Sequence, residues 1–547
     1  MPQLWERSYP EGVEWNAPLP VSTLTAELDV AVERFGSVTF LEIMGITIDF
    51  RTFGAMVERV ARGFRALGVK PGVHVALHLP NTPHYPLAFY GALRAGAVVT
   101  NLSPIDAERE IAHKIEAAEV GVVVSFADFA AKLPKDRPGL RIVLCSPADM
   151  MPAAPPAIPE DPAAPIPFTA LLDPARERGE PWPVAKPDDL ALLQFTGGTT
   201  GMPKAAMLTH ANLTATVSIY DAWGKIPGAE LHEGDERIIL VLPLFHIFAL
   251  GTMMTRAVRH GFTLILKPRW DTEDVLNTID RAKPSTFSGV PTMYRAMASH
   301  PRAKTVDFSS LRYCASGGAP LPVELKEEWQ KLTGVDLLEG WGMTETSPAG
   351  TGNIPEQTRF GSAGVPLPGI ELQIRDLDDP HKQMPPGERG EMCIKGPNVF
   401  QGYYKQPQAT AESFIDGFFR TGDIGYLDEE GFLYIVDRKK DMILSGGFNV
   451  YPRNIEEAIY EHPAVEEVIV IGIPDAYRGE SAKAFITLRP GTSPFTIDEL
   501  RDFLGDKLAR YELPAAVEFR DVLPKTAVGK LWKKPLVDEE RAKAAKA

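Results

Sequence analysis

Cysteine is scarce: Cys145, Cys314 and Cys393 are the only three in 547 residues, and no spacing among them suits a metal. A disulfide-built secreted fold and a zinc module are excluded, and a reducing, cytoplasmic setting is expected. Basic charge is in deficit too, with 57 Lys and Arg against 72 Asp and Glu and a net charge of −15. A nucleic-acid binder would need a basic face, so that class drops out. Steady attachment to an anionic lipid surface is disfavoured for the same reason, although peripheral contact at the inner face of a membrane is left open. Met1 to Glu11 lacks the basic-then-apolar pattern of a secretory leader. No apolar run suits a bilayer span. The best candidate, 238–255, carries no Asp, Glu, Lys or Arg, but it is short and interrupted by Pro243 and His246. It reads as a buried strand over 238–242, then a turn, then a helix beginning near Phe248. No repeat of fixed period is present.

Enough chain remains for two or three domains. With 44% hydrophobic and 24% charged residues it reads as globular. Helical spacing over 53–67 ends at Leu67-Gly68-Val69-Lys70-Pro71-Gly72. A strand over 73–79, a helix over 86–95 and a strand over 97–100 follow. Such alternation predicts a parallel sheet covered by helices, an α/β fold. The Pro- and Ala-rich stretch 146–189 reads as a surface excursion.

The chain is organised around Thr196-Gly197-Gly198-Thr199-Thr200-Gly201-Met202-Pro203-Lys204-Ala205. A strand end at 190–193 precedes it, and a helix is expected from Leu208-Thr209-His210. Glycines let backbone N–H groups approach an anion, hydroxyls donate to it, and lysine adds a point charge. The composition suits a polyphosphate, and the spacing is not that of a Walker A loop.

This stretch resembles the phosphate loop of the AMP-forming adenylating enzymes: acyl-CoA synthetases, peptide-synthetase adenylation domains and firefly-type luciferases. The usual form has Ser second and Gly after the lysine, where Gly197 and Ala205 stand here. The Gly-Gly form is similar to the bacterial medium- and long-chain fatty acyl-CoA synthetases. Further motifs in the same order carry the resemblance: Leu338-Glu339-Gly340-Trp341-Gly342-Met343-Thr344-Glu345, Arg420-Thr421-Gly422-Asp423, Asp437-Arg438-Lys439-Lys440 and Lys525-Thr526-Ala527-Val528-Gly529-Lys530.

The resemblance implies a large ATP- and acyl-binding domain over 1–439 and a smaller, mobile α/β domain over 440–547, hinged at Lys440. It makes Gly317, Gly318, Ala319 and Pro320 an adenine wall, with Glu339, Gly340 and Ile435 also at the nucleotide. Trp341, where relatives most often carry Tyr, would stack on adenine. Lys204 and Thr344 would meet phosphates, Asp423 the ribose hydroxyls, and Arg438 the ribose and phosphate region. Glu345 and Thr196 would hold Mg²⁺, a hard cation that prefers oxygen ligands. His246 would lie beside the substrate carboxylate. The acyl pocket would take Phe245, Phe248, Leu250, Gly342 and Met343; some relatives have a tryptophan gate at the position of Leu250. Lys530 would reach the reacting atoms during adenylation, and Gly446, Gly447 and Phe448 would line the channel for coenzyme A.

The implied activity is ATP-dependent activation of a medium- or long-chain fatty acid and its transfer to coenzyme A. A medium-chain dicarboxylate ligase and a carrier-loading adenylating enzyme stay as alternatives. A luciferase-like oxygenase and a silent adenylate-binding module are weaker rivals, the latter because Lys204, Glu345, Asp423, Arg438 and Lys530 are all retained. A monomer or weak homodimer is expected.

Overall fold

A computed structural model describes residues 3–134, 137–150, 155–161, 163–176, 180–196, 203–226, 231–319, 321–355, 357–359, 361–445, 448–475, 477–526 and 529–544. Among them, four sheets form. The first runs Ile166–Pro167, Arg141–Cys145, Val120–Phe126, His74–His78, Val98–Asn101, Leu190–Thr196, Lys204–Thr209 in spatial order. All its pairs are parallel except the last. The second is built around parallel strands Leu337–Trp341, Tyr313–Ser316, Thr286–Gly289, Arg237–Leu240 and Thr263–Leu266. The α/β expectation holds for both.

Helix Phe50–Ala66 shows why the covering helices form. Asp49 caps it by accepting from the Thr52 amide at 2.7 Å. Phe50, Phe53, Val57, Val60, Ala61 and Phe64 then fall on one buried face at three- and four-residue spacing. Each such apolar side chain contributes roughly 1.5–3 kcal/mol on burial. Gly68, at φ +88°, turns the chain out.

Three features depart from or add to these expectations. The helix expected at Leu208-Thr209-His210 is present as His210–Trp223, but Lys204–Thr209 before it is a strand paired antiparallel to Leu190–Thr196. The Pro-rich excursion is partly core, since Phe168, Ala170 and Leu171 are fully buried. Proline spacing signals extended backbone but not which side chains point inward. Third, beside the parallel-type sheets, Glu371–Arg375, Gly390–Lys395, Phe414–Ile415, Phe418–Leu427 and Leu433–Arg438 form an antiparallel sheet.

The main apolar core draws on residues between Trp5 and Leu433. A separate core, from Ile443 to Leu504, fills the space between helices Pro452–Tyr460 and Ile497–Leu504 and a sheet of Val465–Asp475, Gly479–Leu488 and Ala516–Phe519 with the hairpin Ile443–Ser445/Phe448–Val450. Between the two cores, Tyr451 packs with Ile424 and Val436. No helix among the described residues is long and apolar enough to cross a membrane.

Candidate active site

The parallel strands of the second sheet end together at a cavity of about 2080 Å³, closed from the other side by the antiparallel sheet and by residues beyond 440. In α/β folds ligands enter at this carboxyl edge. Register aligns Gly289, Ser316 and Glu339 across three neighbouring strands, and Gly317, Gly318 and Ala319 follow at the rim. Glycine is required where the backbone crowds. A Cβ at Gly342 would fall 1.5 Å from the Pro348 carbonyl oxygen, and at Gly317 2.9 Å from the Phe248 ring.

Trp341, Asp423 and Arg438 form one unit. The Trp341 indole N–H donates to Asp423 Oδ2 at 2.8 Å, and Arg438 Nε lies 3.1 Å from Asp423 Oδ1. Asp423 and Arg438 are cross-strand partners. Cε3 and Cζ3 of the indole lie against Gly350, where a Cβ would come within 2.6 Å of the ring. The ring is therefore less open than two flanking glycines suggest.

Glu345 is almost fully buried, and its Oε1 accepts from the Tyr403 hydroxyl at 2.9 Å. Burial raises its pKa, opposed by hydrogen bonds and by Arg438. Lys204 Nζ lies 5.0 Å from the centre of the Tyr403 ring. Tyr403 thus bridges two predicted residues, and sequence reasoning missed it. Its only signal is the run Gly402-Tyr403-Tyr404, whose pairing with Ala206 is a long-range bridge.

His246 sits on a turn hung from buried amides. Asn81 Nδ2 donates to the Leu242 carbonyl at 2.9 Å, and Asn81 Oδ1 accepts from the Leu244 amide at 2.8 Å. Gln194 Nε2 holds the Phe245 carbonyl at 3.0 Å. His246 Nδ1 accepts from the Phe248 amide at 3.3 Å, which leaves the proton on Nε2. Burial, with repulsion from Lys530, pushes its pKa down to about 3. The ring is a neutral N–H donor.

Lys530 reaches the same place from the far end of the chain. Its side chain lies over Gly318, where a Cβ would be 2.3 Å from Cε and 2.7 Å from Nζ. The Gly529 carbonyl accepts from Thr292 Oγ1 at 3.2 Å, and Thr526 Oγ1 accepts from the Lys530 amide at 3.2 Å. Burial first, then Arg438, lowers the ammonium pKa to about 8, against an opposing pull from Asp423. Glu339 is pushed up to about 7, chiefly by burial. Lys440 also lines the cavity, its pKa lowered by burial and Arg438.

Of the other predicted residues, Thr196, Phe245, Met343, Thr344 and Ile435 line the cavity. Leu250 does not. It is fully buried in the core, on a π-helical turn Leu250–Met254, so the acyl-pocket expectation for it is corrected. The strict apolar lead-in could not say which face of that turn points outward. Phe448 lies outside the cavity, exposed and stacked on Tyr511 with ring centres 4.5 Å apart. Gly197, Gly198, Thr199, Thr200, Gly201, Pro320, Gly446 and Gly447 lie outside the described residues.

The family description AMP-binding enzyme matches residues 28–404, and its C-terminal domain matches residues 454–530. The chain belongs to the AMP-binding enzyme family. This adenylate-forming CoA ligase is an acid–thiol ligase using ATP, Mg²⁺ and coenzyme A. It is 37% identical over 560 residues to a long-chain-fatty-acid–CoA ligase of Bacillus subtilis (strain 168), covering 98% of each chain. It is 36% identical over 493 residues to a feruloyl-CoA synthase of Amycolatopsis sp, covering 89% of this chain and 93% of that one. Among solved structures, the o-succinylbenzoate CoA synthetase of Bacillus subtilis in complex with its acyl-adenylate superposes with a TM-score of 0.79 at 28% identity. That match covers 95% of this chain and 98% of the other. The ligase has a donor set that fits the cofactor: a desolvated carboxylate at Glu345 and a hydroxyl at Thr196 are hard oxygen ligands, facing a cavity that Lys204, Arg438 and Lys530 also line.

Proposed function

We propose that this ligase activates a medium- or long-chain fatty acid to its acyl-adenylate, releasing pyrophosphate, and then transfers the acyl group to coenzyme A, giving acyl-CoA and AMP. The observation that carries the reading is Lys530 lying over Gly318 beside neutral His246, between the charged part of the cavity and an apolar arm past Phe245 and Phe248. The name of the Bacillus subtilis relative supports the acyl class.

In this reading the His246 Nε2–H orients the substrate carboxylate. A carboxylate oxygen bonds to the α-phosphorus as the bond to the pyrophosphate oxygen breaks. Lys530, Lys204 and Thr344 offset the charge that spreads over the phosphate oxygens. Glu345 and Thr196 hold Mg²⁺, which supplies further charge neutralisation at the phosphates. Asp423 accepts from the ribose hydroxyls with the lone pairs that Trp341 and Arg438 leave free, and Trp341 offers its remaining face to adenine. The second step forms a sulfur–carbon bond at the acyl carbonyl and expels AMP. For it, residues 440–547 turn about Lys440, withdraw Lys530 and bring Gly446, Gly447 and Phe448 to the site. The exposure of Phe448 favours this turn.

A panel of carboxylic acids scored for AMP release, with and without coenzyme A, tests the proposal. Acceleration should follow acyl length, since each buried CH₂ contributes ~0.8 kcal/mol. A best substrate of two or three carbons would contradict it. AMP formation that never yields a CoA thioester would favour the carrier-loading alternative.

A further inference from the structure

Resting on the reading just proposed, the apolar arm can be followed to its end. Along strand Tyr313–Ser316, Tyr313 and Ala315 line the cavity, while Cys314 packs into the core behind the sheet. Ala315 pairs in parallel register with Leu338, which lines the cavity as well. The arm therefore descends this face from Gly317, under Phe248, to Tyr313. Four strand residues span about 13 Å at ~3.3 Å each. That is room for a chain on the order of ten carbons at roughly 1.3 Å of advance per C–C bond of about 1.5 Å.

The end of the arm is not apolar. Tyr220, from helix His210–Trp223, and Tyr313 both line the cavity on this side. Burial raises both phenol pKa values, and the two rings are close enough for Tyr313 to raise that of Tyr220 further. Neither hydroxyl has a hydrogen-bond partner among the described residues. The Arg256 guanidinium carbon lies over the Tyr220 ring, 5.8 Å from its centre, and Nη2 donates to the Tyr220 carbonyl at 3.5 Å. Arg256 Nε is buried without a partner, and the Asp221 carboxylate is 3.9 Å away. Asp221 is engaged more closely by His260 at 2.7 Å and Arg259 at 3.2 Å. Two O–H donors, one of them on a ring with a cation over it, thus stand along an arm that Phe245, Phe248, Ala315 and Leu338 also line. A methyl terminus would leave both donors unsatisfied, a cost that a ligand oxygen removes.

We infer that the arm selects medium-chain acids carrying an oxygen function at the distal end, an ω-hydroxyl or an ω-carboxylate. Tyr220 and Tyr313 are the specificity-determining residues, and Arg256 acts through them. The full-length protein with ATP, Mg²⁺ and coenzyme A should be assayed with matched sets of 8, 10 and 12 carbons (on the order of the arm's length): plain acid, ω-hydroxy acid and dicarboxylic acid. At one length or more, an oxygenated acid should exceed its plain partner in kcat/KM by ~10-fold, the scale of one hydrogen bond. Tyr220→Phe and Tyr313→Phe should each remove most of that preference while leaving the plain acid at or above its parental value. Arg256→Gln separates the two sources: a selective loss on the dicarboxylic acid identifies a carboxylate, and equal retention identifies a hydroxyl. Preference for the plain acid at every length overturns the inference, as do Tyr→Phe variants that fold and lose both substrate types equally. If none of the nine acids releases AMP, the medium-chain part of the proposed function fails and the inference with it, a result distinct from either.

Discussion

The two ends of the cavity are built by different means. The end proposed to hold phosphate draws on residue types at short spacing along the chain: Thr196 and Lys204 on one hairpin, Trp341 to Glu345 on one strand end, Asp423 and Arg438 on one pair of strands. The proposed acyl end draws on Phe248, Tyr220, Arg256 and Tyr313, which belong to four separate elements or turns. In the proposed reading the first end handles a charge that changes during reaction, so it needs fixed donors and cations in a desolvated place. The second handles a group that does not react, so shape and a few hydrogen bonds suffice.

The comparison breaks most sharply at Lys530. Lys530→Ala should lower adenylate formation by ~10³-fold, because it removes charge from the reacting atoms, with little change in relative preference among acyl chains. Pyrophosphate release across the acyl panel measures both.

Glu345→Gln should cost ~10²-fold in AMP formation at fixed Mg²⁺. The amide oxygen can still accept from Tyr403, so thermal unfolding should be little altered. An AMP yield near the parental level would remove Glu345 from the metal site.

A pH profile sharpens the same contrast. With its pKa lowered to about 8, Lys530 is charged below that pH and neutral above it. Adenylation should fall as pH rises through about 8, tending toward ~10-fold per unit beyond it. His246, pushed to about 3, stays neutral across this range and adds no inflection near neutrality. In Lys530→Arg the guanidinium keeps its charge, so the alkaline decline should disappear whatever the residual rate.

The smallest effect is expected at Trp341. Trp341→Phe keeps a ring on Gly350 but loses the N–H to Asp423. A hydrogen bond to a charged group is worth ~1.5–3 kcal/mol when lost outright, and freed Asp423 can recover part of this from ribose or water. KM for ATP should rise several-fold, with acyl preference unchanged. A changed acyl preference would mean that the two ends are coupled through the indole.

The same division explains what could be read from residue order. The parallel α/β plan was legible because apolar periodicity and glycine stops are local. Trp341, Thr344, Glu345, Asp423, Arg438 and Lys530 were legible as motifs, and they do share one cavity. The strand Lys204–Thr209 was not, because its pairing with Leu190–Thr196 is set by a hairpin whose connecting residues also resemble a loop before a helix. Tyr403 was not, because its partner Glu345 is 58 positions away. Leu250 was misplaced because an apolar run does not reveal which of its side chains turn into the core.

The central claim is that one cavity performs adenylation with Lys530 in place and thioester formation with Lys530 withdrawn. The most direct measurement supplies Lys530→Ala with preformed acyl-adenylate and coenzyme A and follows thioester appearance beside pyrophosphate release from ATP. Thioester should form at a near-parental rate while pyrophosphate release is lost. Equal loss of both in a folded variant would contradict the account.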